Sequence, residues 1–192
     1  MSLVGRLLDY GQVCQDRNRE TRLRRQLLAV GAHVVLNRVE CASPHKVKLG
    51  DYIFIGPHTA FYGMGNITVE DYSIISQDVY VLSSMHNYSS RNSAMIPYDE
   101  VEIASHVIIG RACWIGMRSI IMPGVVLGDG CIVGAGAVVT KSWPAGTILA
   151  GVPAIAIGQR DMEHYKHCSD AKQFYMLQKS LRDLRRIARA PS

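Results

Sequence analysis

Aliphatic residues recur every six positions along the second half of the chain, at Ile103, Ile109, Ile115, Ile121, Leu127, Val133 and Val139. A small residue often follows directly, as at Ala104, Gly110, Gly116, Gly128 and Gly134. Four residues after each aliphatic comes a short side chain, among them Cys113, Ser119, Val125, Cys131 and Ala137. Two earlier blocks keep the same phase, Leu49–Ile55–Phe61 and Val69–Ile75–Val81. The count slips by two residues near Gly63 to Asn66, and it breaks again between Val81 and Ile103, leaving residues 87–102 outside the repeat.

A period of six fits neither the 3.6 of an α-helix nor simple strand alternation. It fits a short strand and a tight corner, repeated, with three such units closing one triangular coil of about 18 residues. Coils stacked at strand spacing place each inward residue over its counterpart one coil away, and the stacking supplies a core that one coil cannot make alone. The spacing predicts one internal ladder of Ile103, Ile121 and Val139, and another of Ile109 and Leu127. Cys113 and Cys131 stand 18 apart and are expected to stack inside as small apolar fillers.

The ends read differently. Residues 5–30 predict a helix, with Leu7, Leu23, Leu27 and Leu28 among many arginines. Residues 161–189 predict a second helix with Phe174, Leu177, Leu181, Leu184 and Ala188 on one face, opposite Lys172, Lys179, Arg182, Arg186 and Arg189. Its apolar stripe is expected to pack on the coils or on a neighbouring subunit, while the basic face suits peripheral association with an anionic membrane surface.

Composition narrows the class. Of the 192 residues 48% are hydrophobic and 19% charged, which supports a packed core and argues against disorder. The net charge of +5 suits an anionic ligand without choosing one. The five cysteines form no C-x-x-C pair and are odd in number, which argues for reduced thiols in a cytoplasmic protein rather than a disulfide framework. No stretch reads as a secretory signal or a membrane-spanning helix. The basic residues gather on the terminal helices without aromatic interleaving, so no nucleic-acid role is expected.

The run from Ile109 to Lys141, IGRACWIGMRSIIMPGVVLGDGCIVGAGAVVTK, followed by ILAGVPA at 148–154, resembles the hexapeptide-repeat acyltransferases, closest to their galactoside, maltose and colanic-acid O-acetyltransferase branch. The resemblance implies an all-β left-handed parallel β-helix, with N- and C-terminal helices and one long projecting loop. It divides the chain into an N-terminal helical segment (1–30), a β-helix (31–158) with its loop at 87–102, and a C-terminal basic amphipathic helix (159–192). It also implies acetyl-CoA as acyl donor, a homotrimer with active sites between subunits, and no metal.

Acetyl transfer needs a base for the acceptor's proton, donors for a tetrahedral oxyanion, and a site for the donor. The segment ITVEDYSIISQDVYVLSSMH, residues 67–86, resembles the family segment that ends in the catalytic histidine, which marks His86 as the general base. An imidazole titrates near neutrality and suits that task. Asn87, Tyr88 and Tyr98 in the loop, with Trp114, are the expected acceptor contacts. Backbone N–H groups around Trp114–Ile115–Gly116–Met117 are the expected oxyanion donors. By the same resemblance Gly116, Met117 and Ala135 meet the pantetheine arm, and Thr140 and Lys141 the nucleotide end. The family often continues after AGVPA with phosphate-gripping arginines; this chain has Ile155 to Gly158 there, leaving Arg160 as the candidate substitute.

The expected activity is therefore acetyl-CoA-dependent O-acetylation of a sugar or surface polysaccharide by direct attack. Acetylation of an amine on an amino sugar or other small molecule is the near alternative. A non-catalytic β-helix scaffold would bind no acetyl-CoA. A zinc hydratase on the same solenoid would need three converging ligands, and the repeat offers no second histidine near His86.

Overall fold

The computed structural model describes residues 3–89, 91, 93 and 95–181. Its body is a parallel β-solenoid of three sheets. The first sheet stacks Ala29–Val30, Val47–Leu49, Ile67–Val69, Val107–Ile109 and Val126–Leu127. The second stacks Val35–Leu36, Phe54–Ile55, Ile74–Ile75, Trp114–Ile115, Ile132–Val133 and Thr147–Ala150, and the chain then folds back as Ile155–Gln159, antiparallel to its neighbour. The third stacks Glu40–Cys41, Ala60–Tyr62, Tyr80–Leu82, Ile120–Ile121 and Val138–Val139. The path visits first, second and third sheet in turn, so each round closes one triangular coil.

The aliphatic at the centre of each six-residue unit points inward. Ile55, Val69, Ile75, Val81, Ile109, Ile115, Ile121, Leu127, Val139 and Leu149 are all fully buried. The ladder of Ile109 on Leu127 is present, and Val69 and Leu49 extend it. Cys113 and Cys131 are buried as expected, each donating its thiol to a carbonyl, of Gly128 at 3.3 Å and of Pro144 at 3.2 Å. Burial and the neighbouring Cys131 sulfur both hold the Cys113 thiol in its protonated form, the neighbour's hydrogen bond weighing most.

One ladder differs from the prediction. Ile121 stacks on Val81 and Val139, and Ile103 is absent from that column. Ile103 is half-exposed and belongs to an antiparallel arm, Glu102–Ala104 paired with Ser84–His86, that leaves the solenoid altogether. The arm takes the place of a corner between the third and first sheets, so the coil resumes at Val107, directly over Ile67. The two-residue slip is absorbed in the same way. The turn at Gly63–Asn66 carries the extra residues, and Leu49 still lies against Val69, 20 positions on, as Ile109 lies against Leu127, 18 on. Corners stretch; the inward columns do not.

The corners set the backbone. His33, Tyr52, Tyr72 and Ala112 at the first-to-second corner, and Arg38, His58, Asp78 and Arg118 at the second-to-third, all have φ between 50° and 63°. That region is disfavoured for residues with a Cβ. At the first-to-second corner stacking of side chains opposes the cost: the His33 and Tyr52 rings lie 4.7 Å apart and nearly parallel, and Tyr52 and Tyr72 5.5 Å apart.

Both terminal helices depart from the sequence reading within the described residues. Helix α1 spans Leu3–Gln26 and ends where Ala29 starts the first sheet. It is tied to the first coil by buried Leu23, by an Arg38–Asp16 ion pair at 2.9 Å, and by the Arg24 guanidinium on the Val34 carbonyl. The expected C-terminal helix is broken in two. Helix α2 spans Met162–Asp170, capped by the Asp161 carboxylate on the N–H groups of Glu163 and His164, and α3 spans Tyr175–Leu181. Lys172 adopts φ 53° in the intervening turn, which redirects the chain so that Phe174, Met176 and Leu177 become buried. Leu184, Ala188, Arg182, Arg186 and Arg189 lie outside the described residues. Among the described residues no helix is long and apolar enough to cross a membrane.

Candidate active site

The arm that carries His86 is rooted in the solenoid by Ser83. Its hydroxyl is buried and donates to the Gly65 carbonyl at 2.9 Å, while its own carbonyl accepts from the Ser105 N–H at 2.8 Å. Beyond this root three pairs form, Ser84 with Ala104, Met85 with Ile103 and His86 with Glu102. Strand alternation puts His86 and Ser84 on one face. The Ser84 hydroxyl donates to Glu102 at 2.7 Å and accepts the Met64 N–H at 3.1 Å.

That face lines a cavity of about 250 Å³ with Tyr62, Met64 and Glu102. His86 is exposed on its wall, and its ring lies against Tyr98 with centroids 4.0 Å apart and planes 12° from parallel. Ala42 and Tyr62 also line an adjoining cavity of about 420 Å³, which reaches Arg19 and Arg22 of α1. Tyr62 is fixed between the two by its hydroxyl on Glu40 at 2.8 Å. Tyr88 stands free toward solvent at 70% exposure, and Asn87 is turned inward at 6%.

A second feature lies on a different corner. Gly116, Met117 and Ala135 line an apolar groove of about 570 Å³ with Phe54, Gly56, Val133 and Trp114, whose indole is half-exposed on its wall. The groove thus gathers the three residues expected at the pantetheine arm and adds Trp114, which was expected at the acceptor. The coil itself requires glycine at Gly116: a Cβ there would sit 2.6 Å from the Ala135 nitrogen and the Val133 oxygen. The oxyanion expectation also changes. The Trp114 and Gly116 N–H groups are engaged between coils, with Cys131 O at 2.9 Å and Val133 O at 2.8 Å. The Met117 and Ala135 N–H groups, by contrast, make no hydrogen bond to another described residue.

The remaining candidates are dispersed. Thr140 and Lys141 stand exposed on a third-to-first corner, with the Lys141 ammonium 4.6 Å from the Trp143 ring centre. Arg160 lies in a separate cavity of about 340 Å³ under α2 and α3, which meets the groove at Trp114. His86 and the groove share no lining residue within one chain. The sequence reading missed Asp99, Glu102 and the Glu40–Tyr62 contact. These are pairs across a loop or between coils, and no spacing along the chain announces them.

A family profile described as bacterial transferase hexapeptide (six repeats) matches residues 106–141. The chain is 35% identical over 132 residues to WcaF of Escherichia coli K12, named for acetyl transfer in colanic acid biosynthesis; the match covers 68% of this chain and 69% of WcaF. Among solved structures, a maltose O-acetyltransferase from Clostridium difficile 630 superposes with a TM-score of 0.67 at 28% identity, over 76% of each chain. AntD, an N-acyltransferase from Bacillus cereus in complex with dTDP and 3-hydroxybutyryl-CoA, superposes with a TM-score of 0.64 at 25% identity, over 81% of this chain and 95% of that one. With its stacked six-residue units, apolar corner groove and histidine-bearing arm, the chain belongs to the hexapeptide-repeat acetyltransferases, enzymes whose acyl donor is acetyl-CoA.

Proposed function

We propose that this acetyltransferase moves the acetyl group to a hydroxyl of a sugar or surface polysaccharide, with His86 as the general base. The observation that carries this reading is the His86 ring on the wall of an open cavity, at the end of a paired arm. His86 accepts the acceptor's hydroxyl proton as the oxygen attacks the thioester carbon. The tetrahedral oxyanion collapses with cleavage of the carbon–sulfur bond, and the imidazolium returns the proton to the CoA thiolate.

The apolar lining of the groove suits a pantetheine arm, and the Met117 and Ala135 N–H groups would receive its amide carbonyls or the developing oxyanion. Because groove and arm lie on different corners, a complete site needs the groove of a second copy beside the arm of the first. A trimer supplies three such sites, with Thr140 and Lys141 facing the donor from the arm's own side. Arg160 is separated from the groove by Trp114 and would meet the nucleotide only beyond that indole.

The relatives named above include both O- and N-transferring enzymes, so an amine acceptor is the second reading. The test is thiol release from acetyl-CoA against sugars, amino sugars, nucleotide-linked and lipid-linked glycans. A hydroxyl acceptor should turn over, and His86→Ala should lose about 10²-fold or more in kcat while remaining folded. Wild-type turnover in that variant would remove His86 from its role; turnover of amines alone would replace the hydroxyl acceptor.

A further inference from the structure

The arm has two faces, an outer one that carries His86 and an inner one turned toward the protein. His86 and Tyr98 are exposed on the outer face, whereas their chain neighbours Asn87 and Asp99 are turned inward at 6% and 8% exposure. The two inner side chains are joined: Asn87 Nδ2 donates to Asp99 Oδ2 at 2.8 Å. Asp99 Oδ1 accepts the Val101 N–H at 2.9 Å, and Asn87 Oδ1 accepts the Ser89 N–H at 3.3 Å. The backbone continues the pairing, with the Asn87 N–H on Val101 O at 2.9 Å and the Asp99 N–H on Asn87 O at 3.2 Å.

An exposed two-stranded ribbon is marginal in water and its register is weakly specified. A buried carboxylate whose oxygens are both occupied is a strong specifier, because any slip leaves it unpaired. Adjacent residues of extended chain face opposite ways. Holding Asn87 on Asp99 therefore holds His86 opposite Tyr98, which is how the two rings come to lie 4.0 Å apart.

We propose that Asn87 and Asp99 form a buried clamp that sets the orientation of the His86 imidazole by holding Tyr98 flat against it. Both are positioning residues, and the proposal rests on the reading of His86 as the base. The chemistry of the clamp is directional. Asp99 accepts at both oxygens, so Asp99→Asn turns one of its two contacts into a donor facing a donor. Asn87→Asp sets two carboxylates face to face. The exchange Asn87→Asp with Asp99→Asn restores the three side-chain hydrogen bonds given above, with donor and acceptor reversed only in the bond between the two side chains; the Ser89 and Val101 N–H groups still donate.

The experiment measures both single variants, the exchange and Tyr98→Leu, each with thermal unfolding, kcat and KM for acetyl-CoA. Histidine-labelled protein reports the His86 ring resonance, assigned by its loss in His86→Ala and displaced upfield by the Tyr98 ring current. Each single variant should lose about tenfold or more in kcat, the scale of a misplaced catalytic group. KM for acetyl-CoA should stay within about twofold, since the groove lies on another corner. The His86 resonance should lose its displacement, and the exchange should recover both properties. Tyr98→Leu leaves the clamp intact and should reproduce the loss of ring displacement and of kcat. Wild-type kcat and displacement in the single variants would overturn the proposal, as would an exchange that folds but recovers neither. If the resonance follows the clamp while His86→Ala keeps full turnover, the base assignment fails and the clamp stands as geometry alone; it is then not a catalytic positioning device and the proposal falls with it, for a reason the spectra identify.

Discussion

Phe174 lies flat on Tyr72, ring centroids 3.9 Å apart and planes 9° from parallel, and so continues a pile of rings that begins at His33 and Tyr52. The next coil carries Ala112 at the equivalent corner, and the coil after it carries Gly130, over which Tyr165 lies at contact distance. Large side chains at the early corners and small ones at the late corners make the seat for the C-terminal helices. The Arg111 guanidinium sits 4.9 Å from the Tyr72 ring and 4.7 Å from Phe174, and also donates to Ser169 at 3.1 Å.

Phe174→Ala should therefore release the C-terminal helices, at a cost of about 3 kcal/mol for a large apolar side chain removed from a packed site. Limited trypsin digestion checks it: cleavage at Lys172 and Lys179 should accelerate at least about tenfold. Tyr175→Ala, exposed at 62%, should leave the digestion pattern unchanged.

Gly116→Ala and Gly136→Ala should separate two reasons for a glycine. At 116 an added methyl meets the backbone of the next coil and should cost about 2 kcal/mol or more by urea unfolding. At 136 it meets nothing within 4 Å, but φ is 71°, so about 1 kcal/mol is expected. Equal losses at the two positions would contradict the packing argument.

Ser73 bridges two coils, its hydroxyl donating to Gly110 O at 2.8 Å and accepting the Cys113 N–H at 3.1 Å. Ser73→Ala leaves a buried N–H unmet and should cost about 2 kcal/mol. Chemical denaturation checks it.

Burial pushes the Cys41 thiol up from 9.0 to about 11. The folded chain thus binds this proton more tightly than the unfolded chain. The stabilisation is complete below pH 9 and is lost as pH rises through 11. Urea midpoints measured from pH 8 to 11 should fall, and Cys41→Ala should fall less steeply. Iodoacetamide at pH 8 should modify Cys41 more slowly than an unfolded control.

The coils were readable because a six-residue period leaves its mark on every inward position, from Leu49 to Val139. Ile103 shows where that reading stops. It keeps perfect phase with Ile109 yet sits on the arm, since counting along the chain cannot tell whether the backbone has left the stack. The C-terminal helix misled for a related reason: its apolar stripe begins at Phe174, two residues after Lys172, and no local pattern marks the turn at Lys172 that seats Phe174 on Tyr72. His86 was singled out by the resemblance of residues 67–86 to the family segment that ends in the catalytic histidine, and its ring lies on a cavity wall. Asp99 was invisible, because its partner lies 12 residues away across a loop of unspecified course. The separation of His86 from the Trp114 groove is likewise a matter of which corner each occupies, and no local pattern encodes that.

The arm enters and leaves where one edge of the triangle turns into the next, and the stack closes over the gap as though nothing had been inserted. Residues 84–105 can therefore be lengthened, shortened or recast without disturbing a single inward column. On the proposed function, acceptor choice can change in the arm while the coils that carry the groove stay as they are.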